Sequence, residues 1–301
     1  MELKNNKYFS HIKEGLISKS TGFIGSTEDY SSAALVILGV PLDCTVSFRP
    51  GTRFGPQEIR LQSEGLETYS PYLDRDLNDY AYCDIGNIIL PPGQLKECFR
   101  RIQVVINSLL EGGKFPFFLG GEHLITLPAV EVVARLYPDL AVLQFDAHAD
   151  LRDVYLGDKF SHATVMRRIT EIIGGKNLFQ FGIRSGTKEE FIFAQKETNF
   201  FPFEVKEPLK KVNSFIRGRP VYITLDIDVC DPAYAPGVGT PEPGGCTPQE
   251  LIQALHLMEA QQVVGMDLVE INPLSDPTAR TAALGAKLVR EAILSFGRPC
   301  L

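Results

Sequence analysis

Apolar runs recur along the chain at residues 35–40, 80–85, 115–119, 140–145, 178–183, 221–225 and 263–269. Their length and their flanking Gly, Pro, Asn and Asp predict β-strands. Between them the apolar positions switch to a 3.6-residue period. In residues 94–110, Leu95, Phe99, Ile102, Ile106 and Leu109 share one helical face. Thr247-Pro248-Gln249-Glu250 predicts a helix start, with Thr247 as N-cap, Pro248 in the first turn and Glu250 completing a capping box. A last helical pattern runs from Thr278 to about Ser295. Residues 1–32 show neither period and are expected to form an irregular, polar N-terminal arm, with one domain over residues 33–301. Strands alternating with helices predict a single-domain, three-layer α/β/α fold around a mostly parallel sheet.

Three polar clusters interrupt this pattern where strands end. Asp146-Ala147-His148-Ala149-Asp150 follows one apolar run, Gly120-Gly121-Glu122-His123 another, and Asp226-Ile227-Asp228 a third. On an extended backbone, alternate side chains point the same way, so Asp146, His148 and Asp150 can converge on one point. In open α/β sheets, ligands sit beyond the carboxyl ends of the strands. Together the clusters offer two imidazoles and four carboxylates, a donor set suited to a dinuclear metal site. Ordinary strand-end caps and satisfied histidines are the alternative, but carboxylates brought together without matching Lys or Arg repel one another. Oxygen-rich donors with some imidazole and no thiolate favour Mn²⁺ over structural Zn²⁺. The Gly- and Pro-rich segments 41–56 and 231–245, and segment 151–161, are long for α/β connections and are expected to wall the same edge.

Composition narrows the class. Of 301 residues, 44% are hydrophobic and 22% charged, enough to build a substantial core. A net charge of −7 argues against nucleic acid, and no apolar run approaches the ~20 residues of a membrane span. The six cysteines lack any C-x-x-C pair and are expected to be free thiols of a cytoplasmic protein. His256 falls off the apolar stripe of its helix and is read as a surface residue, while His11 lies in the arm without a role. The Gly-rich run 237–245 lacks a lysine, so it fits an active-site loop better than a phosphate cradle.

The order of these motifs resembles the ureohydrolase (arginase/agmatinase) family over roughly residues 35–298. The resemblance rests on Gly39-Val40-Pro41, Arg49-Pro50-Gly51-Thr52-Arg53-Phe54-Gly55-Pro56 and Gly120-Gly121-Glu122-His123. It continues through Asp146-Ala147-His148-Ala149-Asp150, Ser161-His162, Thr224-Leu225-Asp226-Ile227-Asp228 with Asp231-Pro232, and Asp267-Leu268-Val269-Glu270-Ile271-Asn272-Pro273. It implies two Mn²⁺ per subunit, bridged by Asp146 and Asp226. His123 and Asp150 complete one ion, and His148 and Asp228 the other. It further implies that a hydroxide between the ions attacks a guanidinium carbon with Asp150 as its hydrogen-bond acceptor. Glu270 would pair with the guanidinium and His162 carry protons. Family members usually form homotrimers or homohexamers.

The resemblance also bears on the substrate, expected to be a small guanidino cation. Arginases place Asn two positions after the last Asp of their D-x-H-x-D motif, whereas this chain has Arg152, followed by Asp153. Agmatinase-like members match the segment better, which implies hydrolysis of agmatine to putrescine and urea. Arg152 and Asp153 are candidate contacts to the substrate tail. Arg152 could instead pair with Asp153 or Asp158, or favour a carboxylated substrate such as guanidinobutyrate. A single-zinc deacetylase and a catalytically silent, metal-binding homologue are the remaining alternatives.

Overall fold

Leu35 and Ile37 point to one side of their strand, and Val36 and Leu38 to the other, yet all four are fully buried. A strand can be apolar on both faces only if both faces are covered. The computed structural model, which describes residues 15–299, shows how. In chain order the elements begin with β1 (Ile17–Ser18), β2 (Leu35–Val40), α1 (Gly55–Ser63), β3 (Tyr69–Ser70), β4 (Arg75–Asp76) and β5 (Tyr82–Ile88). There follow α2 (Leu95–Glu111), β6 (Phe115–Gly120), α3 (Thr126–Leu136), β7 (Ala141–Phe145), α4 (Val165–Ile173) and β8 (Leu178–Phe181). The chain closes with α5 (Lys188–Glu197), β9 (Asn199–Phe201), α6 (Lys206–Phe215), β10 (Pro220–Asp226), α7 (Pro248–Leu257), β11 (Gln262–Val269) and α8 (Arg280–Phe296).

Nine strands form one sheet in the order β1-β5-β2-β6-β11-β10-β7-β8-β9. Every pairing is parallel except that of β1 with β5. One core, containing Leu35, Ile37, Phe117, Leu143, Ile223 and Leu268, is roofed by α1, α6, α7 and α8. The other, containing Val36, Leu38, Phe118, Val142 and Tyr222, is roofed by α2, α3 and α4. The expected three-layer fold is therefore present. The capping box at Thr247 is formed as expected, its hydroxyl accepting from Glu250 N–H at 3.2 Å.

Several local expectations change. Residues 1–14, His11 among them, lie outside the described residues. Ile17–Ser18 is not irregular but pairs antiparallel with Ile88 and Asn87, and Phe23 is buried in the core. The strand expected at 80–85 is Tyr82–Ile88 instead. Its polar Asp84 and Asn87 obscure the pattern, because both are satisfied by the buried Arg60. The strand expected to reach Ile183 stops at Phe181, where Gly182 adopts φ +83°. His256 is not a free surface side chain: its Nε2 lies 2.9 Å from the buried carboxylate of Glu291.

Candidate metal centre

β6, β11, β10 and β7 are neighbours in the sheet, and each sends a polar segment off its carboxyl end. His123 follows β6, Glu270 follows β11, Asp226 ends β10, and Asp146 follows β7. The sheet thus gathers residues far apart in sequence onto one edge, where ligands of parallel sheets are expected.

The convergence is not that of an extended strand. β7 ends at Phe145, and the backbone then turns. Asp146 Oδ1 accepts its own chain's His148 N–H at 2.6 Å, and Asp226 Oδ1 accepts Asp228 N–H at 2.9 Å. Both are Asx turns, in which a short carboxylate bonds the backbone two residues on. Each turn occupies one carboxylate oxygen locally and points Oδ2 toward His123, where that of Asp146 also accepts from Gln144 Nε2 at 2.7 Å. Asp150 then adopts φ +54°, and its carbonyl accepts Met166 N–H at 3.0 Å at the start of α4. Such left-handed conformations are costly for a non-glycine residue and gather at functional sites.

The centre is drawn around His123. Its Nδ1 lies 3.1 Å from Asp146 Oδ2, 3.1 Å from Asp150 Oδ2 and 3.4 Å from Asp226 Oδ2. Beside it, His148 Nδ1 lies 2.8 Å from Asp228 Oδ2 and 3.8 Å from Asp146 Oδ1. Two groups of donors result, His123 with Asp146 and Asp226, and His148 with Asp146 and Asp228; Asp146 belongs to both. All six predicted ligands are therefore brought together.

The electrostatics of this cluster call for positive charge. Burial, then the neighbouring Asp228 and Asp150, push the Asp146 carboxyl up to about 7. Burial, Asp228 and Asp146 likewise push Asp226 well above the usual carboxylate range. Burial opposes protonation of His148, but Asp228 outweighs it and the imidazole rises to about 10. That imidazole in turn overcomes the burial of Asp228 and holds its carboxyl below the usual range. His123 Nδ1 is buried without a hydrogen-bond partner, although carboxylate oxygens surround it. A buried nitrogen facing crowded carboxylates is the donor set of a cation site, and divalent ions would draw Asp146, Asp226 and His148 back down while keeping Asp228 ionised. The residues fit a metal pair.

Glu270 sits beside this centre at φ +65°. Its N–H donates to Gly121 O at 2.8 Å, and its Oε1 accepts the backbone N–H of His123 at 2.8 Å. Burial raises its carboxyl well above the ordinary value, against the lowering effect of that N–H. Gly121 lets the 41–56 segment pack closely against this strand end, since a Cβ there would lie 1.9 Å from Leu42 O.

A cavity of about 300 Å³ opens over the centre, with Asp150, Asp226, Asp228, His148 and Glu270 on its inner wall. His162 lies on the same cavity at the start of α4. Its N–H donates to Thr45 Oγ1 at 3.0 Å, and its Nδ1 lies 3.4 Å from the same oxygen. The Thr45 hydroxyl donates to Glu122 Oε2 at 2.5 Å, so the buried Glu122 holds the loop that holds His162. Ser47, Arg152, Tyr155 and Thr240 come from the three long segments expected to wall this edge. Arg152 pairs with neither Asp153 nor Asp158; it stacks over Tyr155 at 4.8 Å, with Nε 3.5 Å from Glu190. Asp153 bonds Arg168 at 2.6 Å and does not line the cavity.

Sequence reasoning missed Glu190, Thr45 and Arg184. Arg184 donates to the carbonyls of Asp228 and Glu242, each at 2.7 Å, fixing the 231–245 segment. Its place just after β8, at the ligand edge, was the available signal.

Comparison with known proteins places these features in context. Residues 33–295 match the family model described as the Arginase family. The chain is 48% identical to the agmatinase of Bacillus subtilis over 277 residues, covering 91% of this chain and 96% of that one. It is equally 48% identical to the agmatinase of Bacillus anthracis, with the same coverage. The crystal structure of the agmatine ureohydrolase of Thermoplasma volcanium superposes with a TM-score of 0.84 at 33% identity, covering 95% of this chain and 97% of that one.

Proposed function

Because the chain belongs to the arginase family, we propose that it hydrolyses the guanidino C–N bond of agmatine, giving putrescine and urea. The observation that carries this reading is the convergence of two histidines and four aspartates on one hollow, with Glu270 on its wall. The agmatinases among its relatives support the substrate.

His123, Asp150, Asp146 and Asp226 would hold one divalent cation, and His148, Asp228, Asp146 and Asp226 the other. When bound, such a pair supplies Lewis acidity that lowers the pKa of water toward neutrality. Manganese is the ion that the oxygen-rich donors suit best. Glu270, with one oxygen engaged by His123 N–H, offers the other to the planar guanidinium and fixes its carbon over the cluster. Asp150 accepts a hydrogen bond from the attacking water and orients it. His162 delivers a proton to the departing amine, a role suited to imidazole near neutral pH. The cavity has room for an aliphatic tail, and Arg152 is among its lining residues. Asp153, tied to Arg168, takes no direct part. A surplus of buried carboxylates around two divalent ions favours a cation over a neutral amide.

The same reading takes residues 33–301 as the catalytic unit, with Ile17–Ser18 and Phe23 packed onto it, in a cytoplasmic homotrimer or homohexamer. Free cysteines, five among the described residues, support a reducing compartment. No helix among the described residues is long and apolar enough to cross a membrane. Urea release from agmatine, arginine, guanidinobutyrate and guanidine, measured side by side on the manganese-loaded protein, tests the substrate. A preference for any of the last three overturns it.

A further inference from the structure

Behind His123, on the side away from the carboxylates, lies a closed set of buried hydroxyls around Asp267. Thr224 on β10 and Asp267 on β11 are register partners, so their side chains stand next to each other. Tyr222, two residues before Thr224, shares its face of the strand, and Thr126 begins α3. All four residues are buried, none more than 1% exposed.

Counting protons fixes the direction of each bond. Asp267 accepts from Thr224 at 2.7 Å, from Tyr222 at 2.8 Å and from Thr126 at 3.0 Å. A hydroxyl has one proton to give, and the Thr224 proton is committed to Asp267. Thr224 Oγ1 also lies 2.9 Å from His123 Nε2. There the oxygen can only accept, so Nε2 carries the hydrogen and Nδ1 presents its lone pair to Asp146, Asp150 and Asp226. The 3.1 Å approach of Thr126 to Thr224 changes nothing, because both protons already point at Asp267.

We propose that Asp267, acting through Thr224, is a positioning residue that sets the tautomer and ring orientation of His123 and so the hold of the protein on one of its two cations. Its effect is confined to the His123 half of the centre. Among the described residues His148 shows no matching bond on Nε2; its Nδ1 faces Asp228, as that of His123 faces Asp146. Partners that orient a ligating imidazole typically govern metal affinity by about 10–100-fold. The proposal rests on the dinuclear reading above.

The test starts from manganese-loaded protein dialysed against graded chelator, with bound Mn²⁺ counted by elemental analysis. Wild-type protein retains two ions per chain. Thr224→Val, which keeps the shape and removes the acceptor, should lose one ion at about 10–100-fold lower chelator strength while keeping the other. Thr224→Ser should restore both, and Asp267→Asn should follow Thr224→Val if it folds. Wild-type affinity at both sites in Thr224→Val overturns the relay while leaving the dinuclear reading intact. Equal weakening of both ions, or failure of Thr224→Ser to rescue, overturns it as well and marks the residues as structural. Fewer than two ions in wild-type protein overturns the dinuclear reading itself, and the relay with it.

Discussion

The backbone N–H of His123 donates to the carboxylate of Glu270 at 2.8 Å, so a residue of the metal cluster also aims the proposed guanidinium anchor. The bond spans 147 positions in sequence and joins two adjacent strand ends. It couples cluster geometry to substrate placement, because the Glu270 carboxylate is held by the backbone that carries His123. Glu270→Gln keeps this acceptor but loses the charge. It should lower kcat/KM for agmatine by about 10²–10³, the cost of leaving a buried cation without its counter-charge, with manganese content unchanged. Urea assays paired with metal analysis check both halves.

Removing His162 should slow turnover without emptying the cluster. Loss of a positioned acid–base group costs about 10²–10⁴ in rate, and His162→Asn is expected in that range. Thr45→Ala, which frees the His162 ring and the Glu122 tether, should cost about tenfold in kcat with KM nearly unchanged. Steady-state kinetics on both variants distinguish loss of the imidazole from loss of its aim.

Chelation should destabilise the protein as well as inactivate it. Ligands that bind only the native state add about 2.7 kcal/mol at a hundredfold excess over Kd. Stripping both ions should therefore lower the thermal midpoint by several degrees, and adding Mn²⁺ should restore it in a concentration-dependent way. Differential scanning calorimetry across a manganese series is the measurement.

Far from the centre, Arg60 and Asp84 form a fully buried pair at 2.7 Å. Arg60 also donates to Asn87 and to the carbonyl of Gly86, fastening α1 to β5. Arg60→Met strands the Asp84 carboxylate. Breaking one partner of such a pair costs about 3–5 kcal/mol, a loss that urea denaturation would show as a lower midpoint with little change in slope.

Glu291 supplies a pH dependence with a definite sign. Burial raises its carboxyl, but His256, Arg290 and Ser70 lower it more, so the folded pKa lies below the ordinary value. A depressed carboxyl contributes stability that is present above the unfolded pKa, about 4.3, and lost as pH falls through the folded pKa. Glu291→Gln should therefore be destabilised by about 1–3 kcal/mol at pH 7. Its gap from wild type should shrink below about pH 4, as denaturation midpoints across pH would reveal.

Most of the sheet was legible because its central strands are covered on both faces and so read as unbroken apolar runs, as in Leu35–Val40 and Ala141–Phe145. The strands missed or misplaced lie where polar residues are satisfied by distant partners, as Asp84 is by Arg60, or at short edges such as Asn199–Phe201. The convergence of the two histidines and four aspartates was legible because each sits in a motif at a strand end. How the donors converge was not, since the Asx turns at Asp146 and Asp226 look the same in sequence as extended alternation. His256 was misread because its partner, Glu291, lies on another helix. The tethers at Thr45 and Thr224 were likewise invisible, being long-range bonds from residue types that are commonplace on any surface, and Arg184 was marked only by its place at the ligand edge.

The order of strands at the centre of the sheet also bears on how a newly synthesised molecule acquires its ions. β6, β11, β10 and β7 lie side by side, yet β11 is the last strand to leave the ribosome and must insert between two earlier ones. A truncated chain lacking it would leave His123 and Asp226 without the strand that spaces them. Completion of the His123 half of the centre therefore comes after translation has passed Val269, whereas the donors of the other half stand on the neighbouring strands β7 and β10. A loaded centre is a certificate that the whole sheet has been threaded.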